Sequence, residues 1–176
     1  MDFKLENLEK YQIAIILTTL IFLVTSTISI IFYPNYDFIN QYFSELGIGP
    51  TSIIFNFGIM ITSIFLLIYF YLLFKKKENS KIFYLGLISS IGLFGVGLFP
   101  MNIIFWHFLS AATFFFTSLI IIGIKITQNK DNTKLLFFGL MMALVIFNYL
   151  LIFRIPFFQK LSVYAIIIYY IIYSFK

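Results

Sequence analysis

The chain holds one histidine, His107, in a run of apolar residues, "IIFWHFLSAATFF". Imidazole is the side chain whose ordinary pKa suits proton transfer near neutrality. A general base needs an orienting partner, and Glu45 in "QYFSELGIGP" is a candidate, with Ser44 beside it as the available nucleophile. Asp37, Asn56, Asn102, Asn148 and Arg154 complete a set that could instead hold a ligand. An arginine at the edge of a low-dielectric region takes a carboxylate or phosphate partner. The absence of cysteine excludes disulfides, thiolate metal sites and thiol catalysis, and one histidine cannot build a multi-histidine site. No metal and no cofactor is expected.

These residues have to be positioned by apolar elements. Of the 176 residues, 61% are hydrophobic and only 11% are charged, against about 25% charged in soluble domains. A soluble chain of this size still exposes roughly 30% of its unfolded surface, so the solvent for this one is lipid. A membrane-crossing helix needs about 20 mostly apolar residues. Six runs qualify, at about 11–32, 52–74, 82–99, 103–124, 135–153 and 157–175. The expected fold is all-α, a polytopic six-helix transmembrane bundle formed by 1–176 as a single integral membrane domain. Gln159 and Lys160 interrupt the sixth run, so an alternative lays 155–160 flat in the interface and starts that span at Leu161. The start "MDFKLENLEK" lacks the basic region and cleavage site of a signal peptide, so the first run reads as a retained helix.

The basic residues sort by side. Lys4, Lys10, Lys75, Lys76, Lys77, Lys81, Lys125, Lys130, Lys134 and Lys176 fall on one side of six spans, and Arg154 and Lys160 on the other. The positive-inside rule makes the lysine side cytoplasmic, with both termini there, in the plasma (cell) membrane. The net charge of +5 therefore records topology and does not imply nucleic-acid binding. Residues 33–51 become an extracytoplasmic loop rich in aromatic rings, expected to fold down over the bundle with a short helical turn at 37–46. Glu45 is expected to reach His107 or Arg154.

At 1.5 Å rise per residue, Asn56, His107 and Asn148 lie within one or two turns of that outer end. Asn102 and Arg154 lie at its mouth, and Asp37, Ser44 and Glu45 lie in the loop above. The lysine half offers nothing comparable. Bland readings stand beside the functional ones. In these, His107 bonds a carbonyl at a helix end, Asn56 and Asn148 bond neighbouring helices, and Arg154 and Lys160 are interface anchors. In the third span Gly86, Ser89, Ser90, Gly92, Gly95 and Gly97 permit close helix approach, which makes it the central packing helix. Pro100 ends it and turns the chain into the fourth span.

"SELG", "FNFGIMI", "GVGLFP" and "HFLSAATFF" occur in that order. In this the chain resembles the prokaryotic membrane family DUF998, and distantly the DRAM/Frag-like group of eukaryotes. The resemblance covers about 12–175. It implies a six-helix fold with Ser44, Glu45, Gly47, Asn56, Gly97, Pro100 and His107 at characteristic positions, and it implies no reaction.

Three functions are compatible with these residues. The first is a binding protein whose outer polar cluster holds a lipid headgroup or a partner protein. The second is a membrane-embedded enzyme acting on a lipid headgroup with His107 as general base. The third is an accessory subunit of a larger membrane complex. Membrane lipids are the expected partners, with a membrane protein as a further one.

Overall fold

The computed structural model describes residues 8–129, 137–139, 142 and 156–175. It is all-helical. Four helices follow one another in the chain: α1 Lys10–Phe32, α2 Ser52–Lys75, α3 Ser80–Leu98 and α4 Ile104–Asn129; a fifth described helix, α5, covers Pro156–Ser174. A short 3-10 turn, Phe43–Gly47, interrupts the loop between α1 and α2. All five helices are long and apolar enough to cross a membrane, and the chain is a membrane protein. Apart from 137–139 and 142, the span expected at 135–153 lies outside the described residues, as do Asn148 and Arg154.

The helix starts follow local chemistry. At α1, Gln12 folds back to accept the Glu9 N–H at 2.8 Å; at α3, the Asn79 side chain accepts the Lys81 N–H at 2.9 Å. Both satisfy amides that a first helical turn leaves open. Pro156 occupies the first position of α5, where its missing N–H costs nothing. The helix therefore includes Gln159 and Lys160, and no flat segment precedes Leu161 within it.

Helices α1 to α4 pack in chain order, and α5 returns against α1 and, less closely, α4. The start of α1 and the end of α5 lie together, because the Gln12 amide donates to the Ser174 carbonyl at 2.9 Å. The end that carries them is the lysine end; the end that carries residues 33–51 is the loop end.

The small residues of α3 all face inward: Gly86, Ser89, Ser90, Gly92, Gly95 and Gly97 are buried. At two of them the neighbour is backbone. A β-carbon on Gly92 would stand 2.7 Å from the Phe114 amide nitrogen, and one on Gly97 would stand 2.6 Å from the Asn56 carbonyl oxygen. Glycine is thus what lets α3 touch α4 on one side and α2 on the other. Two apolar clusters fill the interior. The larger, around Tyr69, Phe70, Leu119 and Tyr170, lies towards the lysine end. The smaller joins Phe22, Phe55 and Ile59 to Phe43 and Leu46 of the loop.

Candidate functional site

The loop is packed down, not solvated. Phe43 and Leu46 are buried, and the Phe43 ring stands edge-on to Phe22, Phe38 and Tyr164 at centroid distances of 5.8, 6.2 and 5.8 Å. Three side chains from two helices hold its backbone. Asn56 of α2 donates to the Gly47 carbonyl at 2.9 Å. Gln159 of α5 accepts the Phe43 N–H at 3.1 Å. Lys160 donates its ammonium to the Gln41 carbonyl.

Lys160 is the unexpected member. It is only 1% exposed, and three rings surround the ammonium: Tyr36 at 5.7 Å, Phe38 at 5.0 Å and Phe43 at 5.6 Å from their centroids. Desolvated cation–π contacts of this kind are worth up to about 2 kcal/mol each. The carboxylates of Glu45 and Asp37 act on the ammonium electrostatically, without forming an ion pair among the described residues. Lys160 is therefore a buried tether of the loop and not an interface anchor.

Glu45 does not meet His107. Its carboxylate accepts the Tyr42 N–H at 2.8 Å and the Gln41 side-chain amide at 3.2 Å. Both partners are local, and they close the 3-10 turn. Asp37 is likewise spent locally: its carboxylate accepts from Ile39 N–H at 2.8 Å, Asn40 N–H at 3.1 Å and the Asn40 side chain at 2.8 Å. The Asn40 side chain and the two amides hold its carboxyl below the usual carboxylate range. Burial, with Glu45 nearby, pushes the Tyr36 phenol up; its hydroxyl donates towards Tyr42 O at 3.1 Å. Asn102 is exposed in the turn after Pro100.

His107 and Ser44 are buried. The His107 Nδ1 lies 2.7 Å from the Phe99 carbonyl oxygen. A carbonyl only accepts, so Nδ1 carries the proton and Nε2 of the neutral ring is an acceptor. Ser44 Oγ points to the Met101 sulfur at 3.4 Å, and no hydrogen bond joins it to His107 among the described residues. Both side chains border a cavity of about 80 Å³, which Gln159 and Phe43 border at the same end. The cavity continues between the five described helices past Ile59, Leu66 and Ile166 to Tyr170. About 16 Å of α5 separates Gln159 from Tyr170 at 1.5 Å per residue.

Of the residues singled out in the sequence, Ser44 and His107 are brought together at the cavity. Asn56 and Glu45 build the joint above it, while Asp37 and Asn102 stand apart from it. Gln159 and Lys160, which sequence reasoning treated as an interruption of a span, supply two of the three ties. The lysine end also holds a polar cluster that sequence reasoning denied. Lys125 is buried in the last turns of α4 and pairs with the Glu78 carboxylate, which also accepts the Tyr173 hydroxyl at 2.9 Å. The Lys125 ammonium lies 4.7 Å from the Tyr173 ring centroid. Burial raises the Glu78 carboxyl pKa, but the Lys125 and Tyr173 hydrogen bonds outweigh it and hold the carboxyl below its ordinary value.

The four quoted motifs converge at the loop end. Gly47 of "SELG" meets Asn56 of "FNFG", Asn56 backs onto Gly97 of "GVGLFP", and Phe99 of that motif holds His107 of "HFLS". Over residues 16–176 the chain matches the family model DUF998, described as a protein of unknown function, and it belongs to that family. Comparison with curated proteins and with solved structures gave no match.

Proposed function

We propose that this member of the DUF998 family is a lipid-binding protein of the cell membrane that takes its ligand at the loop end. The observation that carries the reading is the cavity beneath the packed-down loop. An apolar wall runs from Phe55 to Ile166, and the residues His107, Ser44 and Gln159 border it at the end nearest the loop. That is the shape of a site for a chain with a polar head, since apolar lining supplies affinity and a few polar groups supply orientation. The loop end faces outward and both termini lie in the cytoplasm, because ten of the twelve basic residues fall on the other side.

Native mass spectrometry of the detergent-purified protein tests the binding. A retained lipid, lost on replacing Phe55 and Ile166 by tryptophan to fill the cavity, is expected; a protein that keeps no lipid and takes up none when supplied sinks the reading. Orientation is tested with an impermeant thiol reagent on intact cells. Labelling of Asn40→Cys but not of Lys81→Cys is expected, and the reverse pattern overturns it. A second reading, a lipid-headgroup enzyme, draws on the proton-free Nε2 of His107. It would be marked by a headgroup released at a rate that His107→Ala abolishes while the fold persists.

A further inference from the structure

The polar residues that border the cavity specify more than a lipid in general. We infer that its ligand is a neutral single-chain lipid bearing a hydroxyl group, with the hydroxyl at His107 and Gln159 and the chain directed towards Tyr170. The inference rests on the lipid-binding reading above and narrows it.

Charge comes first. No lysine, arginine, aspartate or glutamate lines the cavity among the described residues. Lys160, next in sequence to Gln159, turns its ammonium into the loop's rings and the Gln41 carbonyl. An ionised headgroup placed in this wall would lose its hydration with no countercharge in return, which is among the costliest of burials. The buried head is therefore uncharged.

Hydrogen-bond capacity decides which uncharged head. The threonine hydroxyls of the wall are already spent on their own helices: Thr18 on the Ala14 carbonyl at 2.8 Å, Thr19 on Ile15 at 2.9 Å and Thr62 on Gly58 at 2.7 Å. Ser44 directs its hydroxyl proton to the Met101 sulfur, and two ring or amide nitrogens, one on His107 and one on Gln159, keep unused hydrogen-bonding capacity at the loop end among the described residues. His107 is buried, its Nδ1–H is committed to Phe99, and its Nε2 is left to accept. Gln159 presents its carbonyl oxygen to the Phe43 N–H, which leaves its amide nitrogen to donate. One open acceptor and one open donor fit a group that both donates and accepts through a single atom. A hydroxyl does so. An ether or ester oxygen only accepts and leaves Nε2 unpaired, and an unpaired buried acceptor is penalised.

Width limits the rest of the ligand. A cavity of about 80 Å³ stretched along some 16 Å of α5 admits one chain and excludes a two-chain phospholipid's body.

The test uses the full-length protein in mild detergent with three probes of equal chain length: hexadecanol, its methyl ether, and hexadecanoate at pH 8. Binding is read by native mass spectrometry and by the rise in unfolding temperature with ligand concentration. Hexadecanol is expected to bind about fivefold tighter than the ether, the fold-change of one net hydrogen bond, and hexadecanoate more weakly than both. In His107→Phe the alcohol-to-ether ratio is expected to fall to near one, while His107→Gln, which restores an acceptor, recovers part of it. Should His107→Phe fail to fold, the wild-type ratio still decides. Equal binding of alcohol and ether, or tighter binding of hexadecanoate, overturns this inference and leaves lipid binding standing. Failure of all three probes overturns this inference, and it overturns the lipid-binding reading as well only where the purified protein also retains no lipid.

Discussion

Each end of this bundle buries a lysine, and the two are treated differently. At the lysine end, Lys125 has a carboxylate partner in Glu78, and Tyr173 completes the set. At the loop end, Lys160 has a backbone carbonyl and three aromatic rings, and the nearest acids act on it without touching it. The first arrangement closes a gap between α4, α5 and the loop after α2. The second pins a loop whose underside roofs the cavity. Ring contacts are less directional than a charge-assisted hydrogen bond, so they hold the loop while leaving His107 and Gln159 uncommitted on one side each. At the lysine end Lys125, Glu78 and Tyr173 have spent their hydrogen-bonding capacity on one another; at the loop end His107 and Gln159 have kept some of theirs open.

The largest expected effect breaks both ends together. Gly92→Leu pushes a side chain into the backbone of α4 at Phe114, where nothing can rotate away. It should cost about 3 kcal/mol or more, above the usual range for overpacking because the obstacle is main chain. Thermal unfolding in detergent checks it, and an unchanged midpoint would mean that α3 is not the common wall of the two ends.

Next comes Glu78→Ala, which leaves Lys125 buried without a countercharge. Removing one partner of a fully buried pair costs 3–5 kcal/mol; the Glu78 side chain is 31% exposed, so about 2–3 kcal/mol is expected. Lys160→Met should cost less, about 1–2 kcal/mol. It removes the charge as well as its contacts, and methionine refills the volume. The two variants should also differ in place. Hydrogen exchange is expected to rise around residues 41–47 in Lys160→Met and to stay at its native level there in Glu78→Ala. Equal losses and a shared exchange pattern would erase the distinction between the ends.

What could be read from the sequence followed from local pattern. The apolar runs placed α1 to α4 to within a few residues, with α4 extending to Asn129 where 124 was expected. The small residues of α3 announced a buried face by their type alone. The aromatic loop carried its own reason to fold down. The misreadings concern partners. The expected reach of Glu45 to His107 fails, because a carboxylate three residues after Tyr42 meets that residue's amide at little cost in loop closure; the other expected partner, Arg154, lies outside the described residues. Gln159 and Lys160 meet the loop across 116 and 119 residues, a separation that no spacing rule spans. Lys125 was counted as a topology marker, since its pairing depends on how far α4 continues and where Glu78 is set by the turn at Lys77, whose φ is 63°. The cavity is the space that packed side chains leave, and no single segment encodes it.

The smallest effect, and the most specific to the comparison, is in the acid response. Glu78 has its carboxyl pKa lowered in the folded state by Lys125 and Tyr173, against the opposing effect of burial. A group whose folded pKa lies below its unfolded value binds protons more readily when unfolded. The stability it contributes is present above the unfolded value, near pH 4.3 for a glutamate, and it is lost as pH falls through that value towards the folded one. Glu78→Gln cannot titrate. Its stability should lie below wild type at pH 7, and the two should converge on acidification as wild-type Glu78 becomes neutral too. Asp37 at the loop end is also lowered, but it is exposed and satisfied by its own turn, so solvent screens it and Asp37→Asn should leave the acid limb close to the wild-type curve. The measurement is the unfolding midpoint in detergent from pH 7 to pH 3.5 for wild type, Glu78→Gln and Asp37→Asn. Convergence confined to the Glu78 variant assigns the acid-sensitive contact to the lysine end. Parallel curves for wild type and Glu78→Gln would show that the pair with Lys125 is too wet to shift the carboxyl, and the contrast between a sealed end and an open one would then rest on Lys160 and the cavity alone.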